Sequence, residues 1–179
     1  MGTTRVMQIT SKFQKFLAVF LLVFLISYPS FISTKSSDIG GVFVSEDHKE
    51  FNCIVNGLWH EARGEPEAGI RAVMSVIYNR KNHKDYPSSF CGIILQHKQF
   101  SAFDNNKELA TKALKPTGSK DKRAHRLVSY VAHQVILGRF EPVLERDVLF
   151  YSHVSVKNRW TRRMKVVMIL KSHQFLKEI

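Results

Sequence analysis

The segment from Glu50 to Arg80 admits two helices with a fixed break between them, and this feature most narrows the folds open to the chain. Phe51, Ile54, Val55, Leu58, Trp59 and Ala62 recur at helical spacing, which predicts a helix over about Glu50 to Arg63 with Gly64 as its stop. Pro66, with Glu65 before it and Glu67 after it, suits the first position of a second helix. Ile70, Val73, Met74, Val76 and Ile77 carry that helix towards Arg80. After the turn at Tyr86 and Pro87, a short helix is expected over Ser89 to Gln96. A third strong helix spans Lys120 to Leu137, with Ala124, Leu127, Val128, Val131, Ala132, Val135 and Ile136 on one stripe and Gly138 as its end. Val148 to Tyr151 and Val166 to Leu170 read as short strands. The fold class is α+β, mainly helical with a small β element. A chain of 179 residues can build one well-cored domain of this kind but not two.

The N-terminus has a different character. Arg5, Lys12 and Lys15 precede an unbroken apolar run of 11 residues, Phe16 to Ile26, followed by Ser27, Tyr28, Pro29 and Ser30. A basic start, an apolar stretch and a polar, turn-forming exit describe an export signal. The run is shorter than the roughly 20 residues of a membrane span, although it lengthens towards one through Ile32 or back to Val6. Residues 1–34 are therefore read as a signal peptide or a signal anchor that would touch the membrane. Thr34 and Ser36 offer only a weak small-x-small cleavage match. Residues 35–47, rich in Ser, Gly and Asp, read as a linker, and 48–179 as the folded domain. The alternative for the apolar run is a buried helix of a cytosolic protein.

Export bears on the two cysteines. An even pair, Cys53 and Cys91, in an exported chain reads as a disulfide. Closing that loop would contribute roughly 4 kcal/mol in the chain-entropy model. Two buried thiols are the alternative. The formal charge of +12 favours a polyanionic partner: nucleic acid, anionic lipid or an acidic wall polymer. The positive residues are scattered (Lys81, Lys84, Lys112, Lys122, Arg123, Arg159, Arg162, Arg163), and the export signal argues against nucleic acid.

The residues with the most chemistry are Trp59 to Pro66, W-H-E-A-R-G-E-P. Glu61 falls in the last turn of the first helix, where the partial negative charge of the helix end disfavours a carboxylate. Leu58, Trp59 and Ala62 would desolvate it as well. Both effects raise a carboxyl pKa, as a general acid near neutral pH requires. A carboxyl of raised pKa beside a Trp is suited to protonating a glycosidic oxygen. The alternative is a surface Glu paired with Arg63 or Arg80.

Glu61-Ala62-Arg63-Gly64-Glu65-Pro66, then Gly69, then Ala72 to Arg80 ending in Tyr78-Asn79-Arg80, resembles the SleB-type cell-wall hydrolases. The resemblance continues through Tyr86-Pro87, Phe90-Cys91, Gln96, Gln99-Phe100-Ser101, Leu149-Phe150-Tyr151, Trp160, and His173 with Phe175. It implies a lysozyme-like fold and cleavage between N-acetylmuramic acid and N-acetylglucosamine in peptidoglycan, with Glu61 as catalytic acid. It also leads us to expect Gln99 and Ser101 along a sugar groove. The chain departs from the pattern in three places. Leu176 replaces a final Tyr, His153 comes one residue late, and Ala102-Phe103 stands where a Trp is usual.

Glycoside hydrolysis normally uses two carboxyl groups. Glu65 reads better as an anion at the start of the second helix, and Asp104 lies where the resemblance is weakest. If Glu61 works alone, a lytic transglycosylase mechanism fits, with simple muramidase hydrolysis as the alternative. A non-catalytic, basic wall-binding module is a further alternative, as is a zinc amidase or peptidase. His60, His153 and His173 do not form H-E-x-x-H, so neither a metal nor another cofactor is expected. Tyr151 could position Glu61 or a sugar hydroxyl, or pack in the core. Trp160 could stack on a sugar ring or close the core. Arg63, Glu65, Asn79 and Arg80 are expected to support Glu61, with Asn79 and Arg80 holding the Glu61 loop. The expected partner is the glycan strand, bound by a monomer in the periplasm or cell envelope, of bacterial or phage origin. Fused to a periplasm-dependent reporter, residues 1–40 should give activity; a reporter that stays in the cytosol would disprove the export signal.

Overall fold

The computed structural model describes residues 39–97 and 99–179. Contacts divide the chain into two compact units, Met1–Gly40 and Gly41–Ile179, and the second carries the fold and the site. The expected signal or anchor over 1–34 and the first linker residues lie outside the described residues. Among the described residues, no helix is long and apolar enough to cross a membrane.

Helix α1 spans Ile39–Ala62, so it begins eleven residues before Glu50, and residues 39–47 of the expected linker are helical. Once the packed end of a helix is nucleated, each added residue gains a backbone hydrogen bond, and no proline stops the ladder towards Ile39. The buried face of α1 is the predicted one: Ile54, Val55, Leu58, Trp59 and Ala62 are each less than a tenth exposed. Helix α2, Glu67–Lys81, is the central element. It buries not only Ile70, Val73, Met74, Val76 and Ile77 but also Ala72, Ser75, Asn79 and Arg80. A helix buried on most sides needs partners for its polar groups. Ser75 provides one, its Oγ accepting from the Val143 amide at 2.9 Å.

Helix α3, Phe90–Ile94, is shorter than predicted and is tied closely to α1. Ser89 Oγ accepts from the Gly92 amide at 3.0 Å. The Glu50 carboxylate accepts from the Phe90 and Cys91 amides at 2.6 and 3.2 Å. The expected Cys53–Cys91 disulfide is present, with its Cα atoms 5.2 Å apart. Helix α4, Glu108–Thr111, was not foreseen. Asn56, buried on α1, holds it by donating to the carbonyls of Ala110 and Lys112 at 2.9 and 2.8 Å. Helix α5, Ser119–Ile136, buries Val128, Val131, Ala132 and Val135. It ends as predicted at Gly138, whose φ of 66° is the left-handed conformation a glycine adopts without penalty. The Gly138 amide bonds to Val135 O and the Arg139 amide to Gln134 O, which satisfies the last carbonyls of the helix.

Strands β1 (Phe150–His153), β2 (Met164–Leu170) and β3 (His173–Glu178) form an antiparallel sheet in the order β1-β3-β2. The first two strands were expected close to these bounds, whereas the central one, β3, was not. Its register sets Tyr151 opposite Phe175 and His153 opposite His173. Phe175 is fully buried in the helical core, so the sheet closes one side of it.

The disulfide joins two elements separated by 38 residues. Replacing both Cys53 and Cys91 by Ser should lower the unfolding free energy by about 2–4 kcal/mol. Urea denaturation is the check, and an unchanged midpoint would show that packing alone holds α3 in place.

Candidate active site

Glu61 is the penultimate residue of α1 and is partly buried. Its Oε2 accepts a hydrogen bond from the Tyr151 hydroxyl at 3.2 Å. Burial pushes the Glu61 carboxyl above its usual range, while the Tyr151 bond and the nearby Arg80 charge pull the other way. Desolvation wins, as the sequence suggested. The Tyr151 hydroxyl is itself pushed well above its ordinary value, first by burial and then by the Glu61 charge, so it is held as a donor.

Arg80 is 5% exposed and does not pair directly with Glu61. Its Nε donates to Leu149 O at 2.7 Å and its Nη1 to Gln99 Oε1 at 3.0 Å. The guanidinium also lies 5.5 Å over the Tyr86 ring. Asn79, one residue earlier, donates to Glu145 O at 2.7 Å and Val148 O at 3.1 Å. This corrects the expected role of the pair. They hold the segment that leads into β1, and thereby Tyr151, rather than the loop that follows Glu61. The reason is direction: the C-terminal end of α2 faces the 145–149 segment, not the break at Gly64.

Glu65 also departs from expectation. It makes no cap on α2, whose N-cap is Pro66 without a side-chain bond. It is buried and accepts a short hydrogen bond from Ser172 Oγ. His173 Nδ1 lies 3.5 Å from the same oxygen, and Lys171 Nζ bonds Gly64 O. The helix break is thus clamped to the turn between β2 and β3. Gly69 makes room for this, because a Cβ there would lie 2.8 Å from Glu65 Cβ. The His173 ring packs edge-on to Tyr151, with centroids 5.7 Å apart. Glu65, His173, Tyr151 and Glu61 therefore form one continuous set of contacts. Burial pushes the His173 imidazole down, with Glu65 opposing the shift. Ser172 and Lys171 were missed in the sequence because their partners are more than 100 residues away.

The remaining residues fall in different places. Arg63 is exposed and stacks 5.3 Å over Trp59, not on Glu61. Gln99 reaches the site through Arg80, and Ser101 is exposed at the start of the 3-10 turn Ser101–Phe103. That turn is anchored by buried Phe100 and Phe103, the latter 5.2 Å from the His60 ring. Asp104 lies 3.7 Å from His97. Trp160 neither closes the core nor meets Glu61: it is 39% exposed and packs on Phe150, with centroids 6.4 Å apart. His153 bonds Ser155. Among the described residues, no three His, Cys, Asp or Glu side chains come together as a metal-ligand set.

Because the Tyr151 hydroxyl bond favours the charged form of Glu61, Tyr151→Phe should raise the Glu61 pKa further. If Glu61 acts as an acid, the alkaline limb of the kcat/KM profile should then move to higher pH. A limb that stays in place or moves down would show that the bond does not tune Glu61.

Residues 64–176 match the model of a family described as cell wall hydrolase. The match begins three residues after Glu61. The chain is similar to a spore cortex-lytic enzyme of Oceanobacillus iheyensis, with 38% identity over 53 residues. That match spans 30% of this chain and only 19% of the relative. Among solved structures, it resembles the catalytic domain of the germination-specific lytic transglycosylase SleB from Bacillus anthracis. The identity is 20% and the TM-score 0.52, over 84% of this chain and 100% of that one. The catalytic domain of the Bacillus cereus SleB protein aligns at 21% identity and a TM-score of 0.49, over 72% of this chain and 90% of that one. The helix-rich architecture with its small three-stranded sheet matches the fold of the Bacillus anthracis catalytic domain.

Proposed function

The chain belongs to the cell wall hydrolase family, and from this premise we propose that it cleaves peptidoglycan glycan strands between N-acetylmuramic acid and N-acetylglucosamine, as a lytic transglycosylase. The observation that carries the reading is Glu61 itself, a partly buried carboxyl of raised pKa held by one hydroxyl donor. Protonated Glu61 gives its proton to the glycosidic oxygen as the bond to C1 of the muramyl residue breaks. The resulting carboxylate takes the proton of the muramyl C6 hydroxyl, whose oxygen bonds C1 and closes a 1,6-anhydro ring. The proton returns to Glu61, and no water is consumed.

The fates of the other carboxyl groups support a mechanism with one acid. Glu65 is engaged by Ser172 and His173, and Asp104 lies beside His97. Tyr151 orients Glu61, and Arg80 sets the charge around it. Gln99, whose Oε1 is occupied by Arg80, keeps its amide donors for a sugar oxygen, with Ser101 beside it. In this reading, residues 1–34 export the enzyme to the cell envelope, where it acts as a monomer.

Glu61→Gln preserves shape and hydrogen bonding but cannot deliver a proton. It should fold normally and lose activity on purified walls by about 10²–10⁴-fold, towards the upper end for a group that is both acid and base. Mass analysis of wild-type products should show muramyl ends lighter by one water than hydrolytic ends. Reducing ends without anhydro products would keep Glu61 as the acid but replace ring closure by hydrolysis. Undiminished cleavage by Glu61→Gln would remove it from the chemistry, and wall binding without cleavage by the wild type would leave a binding module.

A further inference from the structure

The nine residues from Lys157 to Lys165, K-N-R-W-T-R-R-M-K, contain five basic side chains and one tryptophan. All five basic residues and Trp160 are exposed. The backbone that carries them is nevertheless fixed. Thr161 is buried, its amide bonds Asn158 Oδ1 at 3.1 Å, and its hydroxyl donates to Asn158 O at 3.1 Å. This pins a 3-10 turn over Thr161–Arg163, with Trp160 resting on Phe150 of β1. An open cleft of about 830 Å³ lies here, lined by Asn158, Arg159, Trp160, Arg163, Met164, Glu178 and Ile179. Neither Glu61 nor Gln99 is part of it. Among the described residues, no carboxylate lies within 4.0 Å of the guanidinium groups of Arg159, Arg162 or Arg163.

Arg162 donates to Lys157 O at 3.5 Å, and guanidinium groups without a carboxylate partner beside an exposed aromatic face form a receptor for a planar anion attached to a ring. From this arrangement we infer that the cleft is a second binding site, separate from Glu61, for a sugar polymer bearing anionic groups. A sugar ring lies against Trp160, and its appended carboxylate is held by Arg159 and Arg163. The ligand is a wall polymer. An anionic lipid surface would repel Glu178, which lines the cleft beside Trp160. Glu178, the acid in the lining, matches the amino groups of peptide-bearing glycan, which a phosphodiester polymer does not carry along its backbone. The site holds the enzyme on the wall while Glu61 acts elsewhere on the domain. It rests on the proposed substrate class but not on the proposed chemistry.

Binding is measured by sedimentation of the Glu61→Gln protein with purified walls, so that the walls are not consumed. Arg159→Glu with Arg163→Glu should weaken binding at least tenfold at low salt, and Trp160→Ala should weaken it several-fold, with unchanged melting. Lys122→Glu with Arg123→Glu, exposed residues near the start of α5, makes the same change in net charge and serves as the control. An equal loss in that control would overturn the proposal in favour of general basicity. Full retention of wall binding by the cleft variant would also overturn it. So would a loss confined to vesicles of anionic phospholipid, which would make the surface a membrane contact. Walls stripped of stem peptides by an amidase should lose the cleft-dependent binding. A loss seen instead on walls stripped of phosphodiester polymers would overturn the assignment to peptide-bearing glycan. Cleavage assays of the wild type test the chemistry separately, so either reading can fail alone.

Discussion

A cation buried at the end of the central helix organises this domain. Arg80 is 5% exposed, and a charge in that position is costly unless its donors are met and an opposite charge is near. Leu149 O, Gln99 Oε1 and the face of Tyr86 meet those needs, with Glu61 supplying the opposing charge. Each partner comes from a different stretch of chain. Satisfying one guanidinium therefore brings together the entry to β1, the Gln-Phe-Ser turn, the segment before α3 and the end of α1. Asn79 doubles the grip on the entry to β1. Removing either side chain would leave buried carbonyls unpaired in the segment that delivers Tyr151.

The break between α1 and α2 is held just as specifically. Gly64 and Pro66 end one helix and permit the next, but they do not determine the angle between them. Glu65 does this by reaching the β2–β3 turn, where Ser172 and His173 meet its carboxyl group and Lys171 meets the Gly64 carbonyl. Gly69 is part of the same device, since any side chain there would collide with Glu65. The Glu61 side chain is thereby fixed from two sides, by the clamp at the break and by Tyr151 from β1.

Charge is distributed unevenly between the surroundings of Glu61 and the segment from Lys157 to Lys165. At Glu61, desolvation outweighs one hydroxyl bond and one nearby cation, which raises the carboxyl above its usual pKa. Along Lys157 to Lys165 the basic groups are exposed and outnumber the one acid of the cleft, Glu178, so long-range attraction to a polyanion persists there. The net charge of +12 describes neither region. It is the concentration of guanidinium groups around Trp160 that gives the basicity a direction.

Much of this was legible in the residues alone, because local patterns carry it. Apolar spacing located the three long helices, Gly138 ended α5 as read, and Cys53 and Cys91 were paired correctly. Glu61 stood out because its place at the end of an apolar helix is itself a local fact. The start of α1 was misplaced because composition marks a linker only where nothing extends the helical ladder. Strand β3 escaped notice because His173 to Glu178 does not alternate cleanly, and its pairing with β1 and β2 makes it a strand. The roles of Asn79, Arg80 and Glu65 were decided only in three dimensions. Their residue types announced that hydrogen bonds would be made, but the partners lie up to 107 residues away, and a buried polar group is satisfied by whatever the fold brings to it.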